Sequence, residues 1–195
     1  MKLRGLYAVT PQGEDLERKV RLALEGGIAL LQYRSEERNR SQAAAIVRLA
    51  KEFGVPVIVN DDIELALELD ADGAHLGRDD GDLGAARARL RGRILGASCY
   101  NELTRARSAV AAGADYVAFG SVFASPTKPD AARAPLPLLR EAKPLGVPLA
   151  AIGGITLENA PQLIAAGADL LAVISDLFEA PDIRQRARAY GRLFA

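Results

Sequence analysis

Ser125-Pro126-Thr127-Lys128 places two hydroxyls and an ammonium side by side, just past the apolar run Tyr116 to Phe119. Hydroxyls donate hydrogen bonds and lysine carries a compact charge, so this segment suits a phosphate; the alternative is a plain solvated loop. Gly153-Gly154-Ile155-Thr156 and Ser175-Asp176 form a second set. Small residues there let backbone N–H groups approach an anion, against the alternative of an ordinary turn and helix cap. Asp61 and Asp80 are a third: converging carboxylates repel unless a cation joins them, and hard oxygen ligands suit Mg²⁺, although aspartate is also a favoured cap. Gln32-x-Arg34 with Lys128 would make a cationic, hydrogen-bonding wall for a diphosphate, unless Arg34 only pairs with a carboxylate at the rim.

Other chemistry is poorly provided for. The single histidine, His75, lies in an apolar run and reads as a hydrogen-bonded core residue rather than a base. The single cysteine, Cys99, reads as inert packing. One His and one Cys allow neither a Ser/His/Asp nor a Cys/His arrangement, and no structural zinc site. Two phosphate sites without an obvious base suit a transfer in which diphosphate leaves and a metal absorbs its charge.

The elements that must position these groups alternate strictly. Apolar runs at Leu6–Val9, Ile28–Leu31, Val55–Val59, Gly73–Leu76, Ile94–Ala97, Tyr116–Phe119, Pro148–Ile152 and Leu170–Ile174 read as strands. Between them, helical spacing appears at Leu16 to Leu24, Ala43 to Phe53, Glu64 to Leu69, Leu83 to Leu90, Leu103 to Val110, Pro135 to Lys143, Leu157 to Ala166 and Ile183 to Phe194. The runs are continuously apolar, as strands covered on both faces require. Eight strand–helix units predict an α/β chain closed into a (β/α)8 TIM barrel, one domain over 1–195 with short loops. Ala-Ala-Gly-Ala-Asp recurs at Ala111 and Ala165, an offset of 54 that matches two units.

In such a barrel the loops after the strands carry the chemistry. Here those ends read Thr10; Gln32 and Arg34; Asn60 and Asp61; Arg78, Asp79 and Asp80; Ser98; Ser125, Thr127 and Lys128; Gly153 and Gly154; Ile174 and Ser175. The strand starts offer Gly, Ala and Pro instead.

Composition narrows the partners. Lys plus Arg and Asp plus Glu number 25 each, so net charge gives no support for nucleic acid or a membrane surface. A lone cysteine excludes a disulfide framework and fits the reducing cytoplasm. No apolar run reaches membrane-spanning length, and the N-terminus lacks a secretory apolar core. Small phosphorylated molecules are the expected partners, and a homo-oligomer is compatible with the sequence.

Seven segments in order, LQYR, PVIVNDD, GAHLGRDD, GASCYN, DYVAFGSVFASPTKPDA, AIGGIT and LLAVIS, resemble the thiamine-phosphate synthase (thiamine-phosphate pyrophosphorylase) family essentially end to end. The resemblance implies a transferase that joins 4-amino-2-methyl-5-(diphosphooxymethyl)pyrimidine to 4-methyl-5-(2-phosphoethyl)thiazole. It implies that Gln32, Arg34, Asn60, Ser98 and Lys128 bind the pyrimidine diphosphate and that Asp61 and Asp80 hold Mg²⁺. Ser125, Pro126, Thr127, Gly154, Ile174 and Ser175 would hold the thiazole phosphate. Lys128 would also act in catalysis, stabilising the departing diphosphate.

Three positions depart from that pattern: Glu36 replaces a lysine, Arg78 a glutamine, and Ser125 a threonine. An anion about 4 Å from the diphosphate would cost on the order of 4 kcal/mol. The expectation is therefore that Glu36 points away and that Arg78 or Arg38 restores the charge. Two rivals remain. A related thiazole tautomerase would share the barrel but not the metal pair, and Ser121 stands where its histidine is expected. A non-catalytic barrel would bind the same ligands without turnover.

Overall fold

A computed structural model describes residues 3–37, 39–124 and 133–195. Eight parallel strands close into a barrel in chain order. They are β1 (Gly5–Val9), β2 (Leu30–Tyr33), β3 (Val57–Asn60), β4 (Gly73–Leu76), β5 (Ile94–Tyr100), β6 (Tyr116–Gly120), β7 (Leu149–Ile152) and β8 (Leu170–Val173). Helices α1 (Leu16–Glu25), α2 (Arg40–Glu52), α3 (Ile63–Glu68), α4 (Leu83–Arg89), α5 (Leu103–Ala111), α6 (Leu136–Ala142) and α7 (Ala160–Ala166) follow the first seven strands. A single turn, α8 (Ser175–Phe178), and then α9 (Ile183–Arg192) follow β8. Among the described residues no helix is long and apolar enough to cross a membrane.

The core has two parts because strand side chains alternate. Tyr7, Val9, Leu30, Ile58, Tyr116, Ala118, Ala150, Leu170 and Ala172 pack together inside the ring. Leu6, Ala8, Leu31, Val57, Val59 and their equivalents face the helices. The interior is crowded: a Cβ on Gly96 of β5 would come 2.2 Å from the Tyr116 ring, so glycine there makes room for the tyrosine.

The repeated Gly-Ala-Asp has a mechanical role at the strand starts. Asp115 accepts the Leu95 N–H at 2.7 Å, and its own N–H donates to Leu95 O at 2.8 Å. Asp169 does the same for Leu149, at 3.0 and 2.8 Å. Asp72, which lies outside the Ala-Ala-Gly-Ala-Asp repeat, does it for Val57 at 2.8 and 2.8 Å. Each aspartate thus clips an even strand to the odd strand before it. The fourth pair has Ala29, whose N–H meets Leu6 O at 2.8 Å without any side-chain clip. Arg87 and Lys143 pair with Asp115 and Asp169. Asp115→Ala should lower unfolding stability by about 2 kcal/mol, because a charged hydrogen bond is lost and an N–H is left unpaired. Urea titration tests this, and an unchanged midpoint would refute the clip.

Most strand boundaries fall within two residues of the sequence expectation. The larger differences are at α2, which begins at Arg40 rather than Ala43, at β5, which continues through Ser98 to Tyr100, and at α7, which begins at Ala160 rather than Leu157. Helix α7 starts late because Thr156 and Asn159 bond each other's backbone N–H, at 2.9 and 3.4 Å, in a turn of their own.

Candidate active site

Two consecutive aspartates divide their labour at the end of β3. Asp62 caps α3, accepting the Leu65 N–H at 2.9 Å. Asp61 donates its N–H to His75 O at 2.8 Å and takes φ 59, a left-handed conformation that costs a non-glycine residue about 1 kcal/mol. After β4, Asp82 caps α4 through the Ala85 N–H at 2.7 Å, while Asp80 accepts the Gly77 N–H at 2.7 Å. The carboxyls of Asp61 and Asp80 then face each other at the open rim. Asp61 is pushed up to about 6, first by burial, then by a hydrogen bond to Asp80 and by its like charge. Asn60, 2.5 Å from the Asp61 carboxylate, and Arg34 oppose that shift. Mutual repulsion of this kind fits a pair that shares a hard cation. Among the described residues no third His, Cys, Asp or Glu joins them, so a cation here would also draw on water or substrate oxygens.

An open cleft of about 290 Å³ lies beside this pair, lined by Tyr33, Arg34, Ser35, Glu36, Asn60 and Asp61 among others. Thr10 sets its wall, because its hydroxyl donates to Arg34 O at 3.0 Å and lies 2.8 Å from the Arg34 N–H. Gln32 is buried inside the barrel with its amide on the Tyr7 hydroxyl. Ser98 is half-buried, its hydroxyl 2.8 Å from His75 Nε2.

His75 is the core residue that its sequence context indicates. It is 6% exposed and bonded at both ring nitrogens. Burial lowers it to about 4, partly countered by Asp80. The unfolded chain therefore takes up a proton near its ordinary 6.5 while the folded chain does not, and stability falls as pH drops from about 6.5 to about 4. The loss should reach about 3 kcal/mol. Urea titrations at pH 7 and pH 4 check it; His75→Gln should lose that much less between them, and an equal loss would refute the assignment. Cys99 is buried and inert, its thiol pushed up to about 12 by burial.

Across the mouth, the β7 loop is pressed onto the segment leaving β6. A Cβ on Gly154, at φ 61, would stand 2.3 Å from Ala124 O and 2.9 Å from Phe123 Cβ. Asn159 holds the loop by donating to Gly154 O at 2.9 Å. Ile174 and Ser175 open α8 beside it. Asp176 turns away, taken by the Tyr190 hydroxyl at 2.6 Å and by Arg186. The expected hydroxyl and lysine ligands Ser125, Pro126, Thr127 and Lys128, and also Arg38, lie outside the described residues.

Of the two arginines expected to restore the charge, Arg78 is paired with Glu102 and stacked on Tyr100 at 4.9 Å, and Arg38 lies outside the described residues. Glu36 is exposed and among the residues lining the cleft. Hence Glu36→Lys should tighten binding of diphosphate with Mg²⁺ by about tenfold, and Arg78→Gln should change it by less than about threefold. Isothermal titration decides: a larger loss from Arg78→Gln than gain from Glu36→Lys would make Arg78 the compensating charge.

Sequence reading missed Tyr7, Tyr116, Thr10's bond to Arg34, and Asn159. The tyrosines offered one signal, since a strand tyrosine buried on all sides needs a partner for its hydroxyl.

Fold and rim together define a β/α-barrel enzyme whose polar groups gather after the strands, around a carboxylate pair and an arginine. The chain matches the family model for thiamine monophosphate synthase over residues 6–177, and it belongs to that family. A relative from Aromatoleum aromaticum named thiamine-phosphate synthase is 61% identical, covering 99% of this chain and 97% of that protein. One of the same name from Methylobacillus flagellatus is 52% identical over 98% and 96%. The solved thiamine phosphate pyrophosphorylase from Pyrococcus furiosus superposes with a TM-score of 0.87 at 32% identity, covering 99% of this chain and 96% of that one.

Proposed function

We propose that the chain joins 4-amino-2-methyl-5-(diphosphooxymethyl)pyrimidine to 4-methyl-5-(2-phosphoethyl)thiazole, releasing diphosphate and giving thiamine phosphate, with Mg²⁺ as cofactor. The observation that carries this reading is Asp61 facing Asp80 at an open rim beside Arg34. Those two carboxylates would hold the ion, which when bound supplies positive charge to the leaving diphosphate. Gln32, Arg34, Asn60, Ser98 and Lys128 take the pyrimidine diphosphate. Ser125, Pro126, Thr127, Gly154, Ile174 and Ser175 take the thiazole phosphate.

In the reaction the bond between the pyrimidine methylene carbon and the diphosphate oxygen breaks, and its electron pair leaves with diphosphate. The thiazole nitrogen lone pair forms the new carbon–nitrogen bond. No proton changes hands, in keeping with a lone histidine kept neutral in the barrel interior. Lys128 and Arg34 stabilise the charge that develops on the leaving group. The single buried cysteine suits a cytoplasmic setting.

The test mixes both substrates with Mg²⁺ and follows diphosphate and thiamine phosphate together. Equal release of the two supports the reading. Ligand binding without release, or isomerisation of the thiazole compound alone, overturns it.

A further inference from the structure

Five polar side chains form a continuous chain across the barrel interior, from β2 to β5. Gln32 Nε2 donates to the Tyr7 hydroxyl. The Tyr7 and Tyr116 hydroxyls lie 2.8 Å apart, Tyr116 lies 2.7 Å from His75 Nδ1, and His75 Nε2 lies 2.8 Å from Ser98 Oγ. Gln32, Tyr7, Tyr116 and His75 are all buried, at 5%, 1%, 0% and 6% exposure, and Ser98 stands at the rim. Both ends of the chain are residues that the proposed function gives to the pyrimidine diphosphate, yet the three in the middle have no part in it.

Burial fixes how many protons the chain holds. Buried phenols keep their protons, and a buried imidazole with a hydroxyl partner at each nitrogen and no carboxylate among the described residues bonded to either is accommodated neutral, so each tyrosine keeps one proton and the histidine has one ring N–H. A row of groups with one proton each can run in only one direction at a time. Gln32 meets the Tyr7 hydroxyl as a donor, which leaves Tyr116 O as the one acceptor beside the buried Tyr7 proton among the described residues, so Tyr7 donates to Tyr116 and Tyr116 donates to Nδ1. The imidazole proton then sits on Nε2 and is given to Ser98. That orientation also points the N–H toward the rim, where the Asp80 charge is felt by the ring. With its acceptor side filled, the Ser98 hydroxyl has its own proton left to give outward.

We infer that Tyr7, Tyr116 and His75 are positioning residues that hold the histidine as its Nε2–H tautomer and make Ser98 an obligatory donor to an anionic oxygen of the diphosphate substrate. The tautomer follows from the chain alone, and the substrate half rests on the proposed function.

The histidine is unique in the sequence, so ¹⁵N-histidine labelling gives one pair of ring signals. The wild-type protein at neutral pH should show a protonated Nε2 and an unprotonated Nδ1. The reverse assignment would overturn the inference without any variant. Tyr116→Phe removes the donor to Nδ1; the other tautomer should appear, and KM for the pyrimidine diphosphate should rise about tenfold with kcat nearly preserved. Tyr7→Phe leaves the Tyr116 proton available to Nδ1, so the tautomer should persist with a smaller rise in KM. A Tyr116→Phe protein with switched histidine signals but wild-type KM would refute the role of Ser98. Absence of turnover in the wild type would count against the proposed function and leave the tautomer result to stand by itself.

Discussion

Asp61→Asn should abolish nearly all turnover while making the metal-free protein more stable. The rate should fall by about 10³-fold, the scale of losing a preorganised electrostatic contact to developing charge. The stabilising half has two sources. Ionised Asp61 stands against Asp80, and its carboxyl is held up at about 6 by burial and by that neighbour. The folded state therefore binds its proton more tightly than the unfolded chain does, and stability is lost as pH rises toward and past about 6. An amide carries no such penalty, and asparagine accepts the left-handed backbone at φ 59 better than aspartate. After solvent screening of this exposed pair, the gain should be about 1 kcal/mol at pH 8. Steady-state diphosphate release and urea titration of the same sample test both halves. Retained turnover would remove Asp61 from the metal pair. Unchanged or reduced stability would mean that the carboxylates do not oppose each other.

Gly154→Ala should be the most damaging change on the opposite wall of the mouth. The added methyl would meet a backbone oxygen at 2.3 Å and a Cβ at 2.9 Å, neither of which is a flexible side-chain end. The backbone at φ 61 further disfavours a residue with a Cβ. The β7 loop must therefore move off the segment around Ala124, which leads directly toward Ser125. We expect KM for the thiazole phosphate to rise about 100-fold, with a much smaller effect on binding of the pyrimidine diphosphate. Titration with each substrate separately checks it. Equal weakening of both would indicate a general collapse of the rim.

The barrel was legible because its strands are unbroken apolar runs of short length, each followed by helical spacing. Reading failed where a polar residue stays in a strand. Gln32 and Ser98 looked like strand ends because the apolar run stops there. In the structure β2 and β5 continue through them, since Tyr7 and His75 satisfy their polar atoms inside the ring. The polar rim was legible as residue types after strands. Asp61 and Asp80 were read as a converging pair from the same pattern, but the left-handed turn at Asp61 and the occupation of Asp62 and Asp82 as caps were not legible, because they depend on local backbone geometry. The partner of Arg78 was not legible for a related reason. Charge counting along the chain cannot see that Glu102, at the cap position before α5, pairs with it.

The alanine at the strand-start position of β2 gives the ring a seam. Of the eight junctions of the ring, the three that join β3 to β4, β5 to β6 and β7 to β8 are stapled at their base by a carboxylate, and the corresponding junction of β1 with β2, at Ala29, closes on backbone bonds alone. Among the four junctions of that kind, β1 with β2 is the one with least to hold it, so its base amides should exchange with solvent sooner than those at the three stapled ones, beneath the Thr10–Arg34 wall.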